Sequence, residues 1–84
     1  MTSAEIAQHV TQALCRVAPE FESMTLQPDL PLRDQVDIDS MDFLRFVMEL
    51  HTQLGVDVPE ADYGHLGSLT QIVEYLTPRI AARR

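Results

Sequence analysis

The sequence predicts a small all-α bundle of three long helices plus one short helix, with a long loop between the first two long helices. Three observations predict it. Apolar residues recur at steps of three and four in three separate stretches. Each stretch opens on a capping residue, and Pro or Gly stands near its end. No stretch alternates for long enough to make a strand, since Val56-Asp57-Val58 is too short.

Thr2-Ser3-Ala4-Glu5 has the spacing of a capping box. Ile6, Val10, Leu14 and Val17 follow on one helical face, and Pro19 stops the pattern. The first helix is therefore expected over residues 3–17. Residues 19–38 form a connection broken by Pro28 and Pro31. Phe21, Met24, Leu26, Leu30 and Leu32 make it too apolar for a free linker, so it should lie across the bundle and plug one end.

The second long helix is expected from Ser40 to Leu54, with Asp39 or Ser40 as N-cap and Gly55 as the C-terminal stop. Asp42 suits the positive end of its dipole. Phe43, Phe46, Val47, Leu50 and Leu54 form one wide apolar stripe. Met41, Leu44 and Met48 form a second stripe on the Ser40 side, either additional core or an exposed contact surface.

A short element of about a turn and a half should follow Pro59, bounded by Gly64 and Gly67. Ser68-Leu69-Thr70-Gln71 is a second capping-box pattern. Leu69, Ile72, Val73, Leu76 and Ile80 then complete the core. Pro78 predicts an end or bend near residues 75–77. Arg79, Arg83 and Arg84 suit the negative end of that helix. Tyr63 and Tyr75 have no motif around them and read as packing residues.

Eighty-four residues make a single domain with one modest core and no room for a deep catalytic cleft as well. The net charge of −7 argues against nucleic acid and anionic membranes. The acid is concentrated: residues 37–62 carry seven acidic side chains against Arg45 alone. Such segregation suits docking onto basic partners, or simply a solvated surface. Cys15 has no partner for a disulfide, which fits a reducing compartment. No apolar run is long enough to span a membrane, and residues 1–5 lack the basic start of a signal peptide. A cytoplasmic monomer is the expectation.

The candidate site is Ser40, where the Pro- and Asp-rich loop meets the second long helix. A serine there is exposed, and its nearest histidine is His51, three turns along the helix. Convergence with His51 for hydrolysis is beyond one helix. Modification by another enzyme fits better than attack on a substrate. Asp37-x-Asp39 mimics the start of a calcium loop, but the later ligand slots fall on Met41 and Met48 and the required Gly on Asp42. His9, His51 and His65 lie alone in separate segments, so no metal site is expected.

Asp39-Ser40-Met41 at a helix start, the amphipathic run of residues 42–50, Leu54-Gly55-Val56-Asp57-Val58-Pro59-Glu60 and Ser68-Leu69-Thr70-Gln71-Ile72-Val73-Glu74-Tyr75-Leu76 together resemble an acyl carrier protein. The resemblance covers about residues 4–77. In that family a serine receives a 4′-phosphopantetheine arm from coenzyme A, delivered by a separate magnesium-dependent transferase, and the arm's thiol holds an acyl group as a thioester. The resemblance implies that Ser40 is the attachment site. It implies as partners a phosphopantetheinyl transferase and the acyltransferase, synthase or ligase enzymes of fatty-acid, polyketide or lipid-type biosynthesis. The docking residues are expected to be Asp39, Met41, Asp42, Leu44, Arg45, Met48 and Glu49.

Some positions depart from the family pattern. Met41 replaces the usual Leu, and Asp37 stands where Gly is common. Arg45, His51 and Thr52 occupy helix positions that are often acidic in fatty-acid carriers. A specialised carrier, itself no enzyme, is the resulting expectation. Peptidyl carriers usually approach the serine through Gly-Gly, unlike Asp37-Ile38-Asp39 here. An acidic helical adaptor whose Ser40 is never modified is the alternative of a different class.

Overall fold

A computed structural model describes residues 1–82 of the chain, all helix, turn and loop. Arg83 and Arg84, expected at the last helix end, lie outside the described residues. Helix α1 (Ser3–Val17) opens on the expected capping box. Glu5 N donates to Thr2 Oγ1 at 3.2 Å, and Thr2 N donates to Glu5 Oε1 at 2.8 Å. Those bonds hold the Glu5 carboxyl below its ordinary range, the bond from the Thr2 backbone contributing most. Ile6, Val10, Ala13 and Leu14 are buried, while Val17 is only half-buried. Cys15 is half-buried, and burial pushes its thiol up.

The connection is ordered by specific contacts. Pro19–Ser23 makes a 3-10 turn that buries Phe21, and helix α2 (Leu32–Gln35) buries Leu32. The Gln35 amide clasps the loop, accepting from Gln27 N at 2.8 Å and donating to the carbonyls of Gln27 and Leu30. Leu32 N donates to Gly67 O, and Thr70 N to Pro28 O. The loop thus crosses the end of the bundle as expected, with one correction: Leu30 is 44% exposed and plugs nothing. It sits in the turn whose Gln27 and Leu30 carbonyls accept from Gln35 Nε2.

Helix α3 (Ser40–Leu54) has the expected bounds. Asp39, not Ser40, is its cap, with Oδ1 accepting from Asp42 N at 2.8 Å. Gly55 ends it at φ 70°, a left-handed conformation that glycine adopts without steric cost. Helix α4 (Leu69–Ala82) closes the fold. Only half of the capping box expected there forms. Ser68 Oγ accepts from Gln71 N at 3.2 Å, but Gln71 Oε1 lies over Gly67 instead of reaching back.

Pro78 is the larger correction. The helix does not end at residues 75–77; it runs through Pro78 to Ala82. A mid-helix proline withdraws one donor and crowds the carbonyl four residues back. Here the flanking carbonyls find side-chain donors. Thr77 Oγ1 donates to Val73 O at 2.7 Å, and Arg79 Nη1 donates to Tyr75 O at 2.8 Å. Glu74, whose carbonyl loses its donor, is exposed and open to water.

Helix α1 is the centre of the bundle, packing against both α3 and α4. Phe46 and Leu50 of α3, and Ile72 and Leu76 of α4, are fully buried with Ile6, Val10 and Leu14. No helix among the described residues is long and apolar enough to cross a membrane.

Candidate functional site

Ser40 is the first residue of α3, and both it and the Asp39 cap are exposed. The first intrahelical bond is donated by Phe43 N to Asp39 O at 3.0 Å. With Asp42 N taken by the cap, the amides of Ser40 and Met41 have no intrahelical acceptor. The Ser40 hydroxyl makes no hydrogen bond among the described residues. Two of the other serines are committed locally: Ser23 Oγ donates to Glu20 O, and buried Ser68 caps α4.

The seven expected docking residues divide. Met41 and Met48 are each 63% exposed and Leu44 is 45% exposed, so the second stripe of α3 is surface. Arg45 is exposed beside them and forms no ion pair among the described residues. Asp42 is half-buried. Glu49 turns inward, its Oε1 lying 3.8 Å from Arg16 Nη1 of α1 and its Oε2 buried without a partner. His51 Nδ1 lies 2.8 Å from Asp57 Oδ1, so His51 serves the helix end and offers Ser40 no base. Among the described residues no three His, Cys, Asp or Glu side chains are grouped to hold a metal.

Sequence reasoning missed a cleft of about 930 Å³ that opens beside Ser40. Its walls come from α1, α2, the start of α3 and the 3-10 turn Glu60–His65. Apolar side chains, among them Leu14, Leu32, Ile38, Phe46 and Leu66, line the inside. Arg33, Asp37, Asp39 and Glu60 stand among the lining residues and are exposed. Tyr63 lines it too, meeting Phe43 edge to face with ring centroids 5.4 Å apart. Chain length argued against such a space, and its walls are too far apart in sequence for spacing to reveal it.

An exposed, unengaged hydroxyl at a helix N-terminus, beside a cleft with an apolar interior, is chemically suited to carry a tethered group. Ser40 has the free oxygen for a phosphodiester, and the adjacent amides favour an anion. Comparison with known proteins gives the family. The family described as a phosphopantetheine attachment site matches residues 4–76. An acyl carrier protein of Lactobacillus johnsonii is 30% identical over 77 residues, covering 90% of this chain and 94% of that one. One from Chlorobium phaeovibrioides is 25% identical over 94% of this chain and 100% of its own length. One from Amoebophilus asiaticus is 27% identical over 95% of this chain and 99% of its own. The chain belongs to the acyl carrier protein family, whose prosthetic group is a covalently bound 4′-phosphopantetheine.

Proposed function

We propose that Ser40 carries the phosphopantetheine arm, and that the protein presents acyl thioesters on it to the enzymes of a specialised pathway while catalysing nothing itself. The carrying observation is the free, exposed Ser40 hydroxyl at the start of α3, beside the cleft. The arm supplies the thiol on which an acyl group rides. Ser40 Oγ loses its proton and forms the phosphodiester, while the bond to the adenosine bisphosphate half of coenzyme A breaks. His51 is paired with Asp57 at the far end of α3, so on this reading a separate transferase takes that proton. The amides of Ser40 and Met41 support the resulting negative charge, and Asp39 opposes it.

The partners on this reading are a phosphopantetheinyl transferase and acyltransferase, synthase or ligase enzymes. Met41, Leu44 and Met48 give the apolar part of the docking face, with Asp39, Asp42, Arg45 and, at the inner edge, Glu49 around it. Arg45 supports the specialised role. It puts a cation where a basic partner surface would meet a like charge, which disfavours general fatty-acid enzymes. A monomer in the cytoplasm fits an exposed docking face and a lone cysteine.

Intact mass after incubation with coenzyme A and a phosphopantetheinyl transferase tests the attachment. Wild type should gain the mass of one arm, and Ser40→Ala should gain none. Because Asp39 is the cap, Ser40→Ala should keep its helical circular dichroism. An alanine variant that still loads sinks the assignment.

A further inference from the structure

Among the described residues that line the cleft beside Ser40, Arg33 is the only cation. Asp37, Asp39 and Glu60 line it too, and all four side chains are exposed. Yet the Arg33 side chain forms no ion pair or hydrogen bond among the described residues. The course of the chain explains part of this. Asp37 stands four residues on, a spacing that pairs side chains on a helix. Helix α2 ends at Gln35, and Val36 is extended at φ −144° and ψ 146°, so Asp37 leaves that register. Asp39 caps α3, its Oδ1 accepting from Asp42 N at 2.8 Å. The backbone that carries Arg33 is nonetheless fixed. Its neighbour Leu32 is 5% exposed and donates its backbone N–H to Gly67 O at 2.8 Å. Val36, in the segment that runs on to Ser40, is buried as well. A guanidinium is thus mounted on the same cleft as Ser40 without an anion of its own.

We propose that Arg33 binds the phosphodiester that joins the arm to Ser40, holding the root of the arm on the α2 side of the cleft. The proposal rests on Ser40 carrying the arm. A phosphodiester keeps one negative charge at neutral pH, shared by its two non-bridging oxygens. The planar guanidinium offers paired N–H donors that match two such oxygens. Without Arg33, that charge would stand among Asp37, Asp39 and Glu60 with no cation on the cleft to offset them. The phosphate is tethered at Ser40, so the pair forms within one molecule and needs no association step. Arg16 and Arg79 are placed differently, each lying 3.8 Å from a carboxylate of its own. Arg45, the other described arginine without an ion pair, is on α3 but does not line the cleft.

The test compares the unloaded and fully loaded full chain, with loading checked by intact mass, for wild type, Arg33→Gln and Arg45→Gln. At low salt, loading should shift the thermal midpoint of wild type more favourably than that of Arg33→Gln, by about 2–4 °C. Arg45→Gln removes the same charge from outside the cleft and should keep the wild-type shift. The phosphorus resonance of the loaded arm should move in Arg33→Gln and hold its place in Arg45→Gln. In nitrogen-15-labelled wild type, the Arg33 Nε–H signal should shift on loading, a readout that needs no variant to fold. Equal loading shifts in wild type and Arg33→Gln, or an Arg33 signal that loading leaves in place, overturn the contact. Arg33→Gln and Arg45→Gln moving together reduce the effect to net charge and overturn it as well. A wild type that gains no arm overturns the Ser40 reading beneath it.

Discussion

The outer face of α3 and the junction of the 3-10 turn with α4 treat polar and apolar side chains in opposite ways. On the outer face, Met41, Leu44, Arg45 and Met48 are exposed, with no hydrogen bond or ion pair from any of these side chains among the described residues. At the junction Asp62, Tyr75 and Arg79 are engaged with one another. Asp62 Oδ2 accepts from Tyr75 Oη at 2.6 Å and lies 3.8 Å from Arg79 Nη2. The Arg79 guanidinium sits 3.5 Å over the Tyr75 ring, and His65 stacks at 6.1 Å. Contacts concentrate where the 3-10 turn is tied to α4, and they are absent from the face proposed above for docking. An unpaired, flexible methionine surface accepts different partners because it has no internal contacts to give up.

The sharpest way to break this comparison is to truncate both faces of α3. Phe46 is 1% exposed, so Phe46→Ala should cost about 3–5 kcal/mol in denaturant unfolding. Met48→Ala, two residues on, should change stability by no more than about 0.5 kcal/mol while slowing acyl transfer to partner enzymes. Equal losses of stability would place Met48 in the core and remove the contrast.

The junction makes an intermediate prediction. Burial, and then the hydrogen bond to Asp62, push the Tyr75 hydroxyl above its ordinary value of 10.0. A raised value favours the neutral phenol in the folded chain. Tyr75 therefore contributes stability that is present below pH 10.0 and lost as pH rises through the raised value. Tyr75→Phe should cost about 1–3 kcal/mol at neutral pH, since Asp62 loses a donor. It should also flatten the alkaline fall in thermal midpoint. A variant as stable as wild type, with the same alkaline fall, would mean that the cluster holds nothing.

The helix bounds that could be read from sequence were those set by neighbours in the chain. Thr2 with Glu5, Pro19, Asp39 and Gly55 act within one turn, and α1 and α3 begin and end where those residues place them. Pro78 misled for the complementary reason. Its local effect is the loss of one donor to the Glu74 carbonyl, on an exposed residue, and periodicity does not encode that the helix continues past it. The choice between core and surface for Met41, Leu44 and Met48 depended on where α1 packs, which spacing within α3 leaves undetermined. Tyr63 had a packing role as expected, but its partner Phe43 lies in another element, and so do most of the cleft walls.

The smallest expected effect concerns charge. Arg45→Glu should raise elongation rates with general fatty-acid enzymes severalfold and leave unfolding unchanged, because an exposed, unpaired charge selects partners and contributes little to the fold. Added salt should shrink the gain, since surface charges are screened within about 10 Å at 0.1 M. No gain at low salt would remove Arg45 from partner selection.

The most direct measurement maps the prosthetic group itself. The chain has no lysine, so trypsin cleaves after its arginines, and residues 34–45 form one peptide between Arg33 and Arg45. Ser40 is the only hydroxyl-bearing residue in that peptide, while Ser3, Ser23 and Ser68 fall in three others. Digestion of the loaded protein should place the mass of the arm on residues 34–45 and nowhere else. The same mass on a peptide carrying Ser3, Ser23 or Ser68, with residues 34–45 unmodified, would contradict the account.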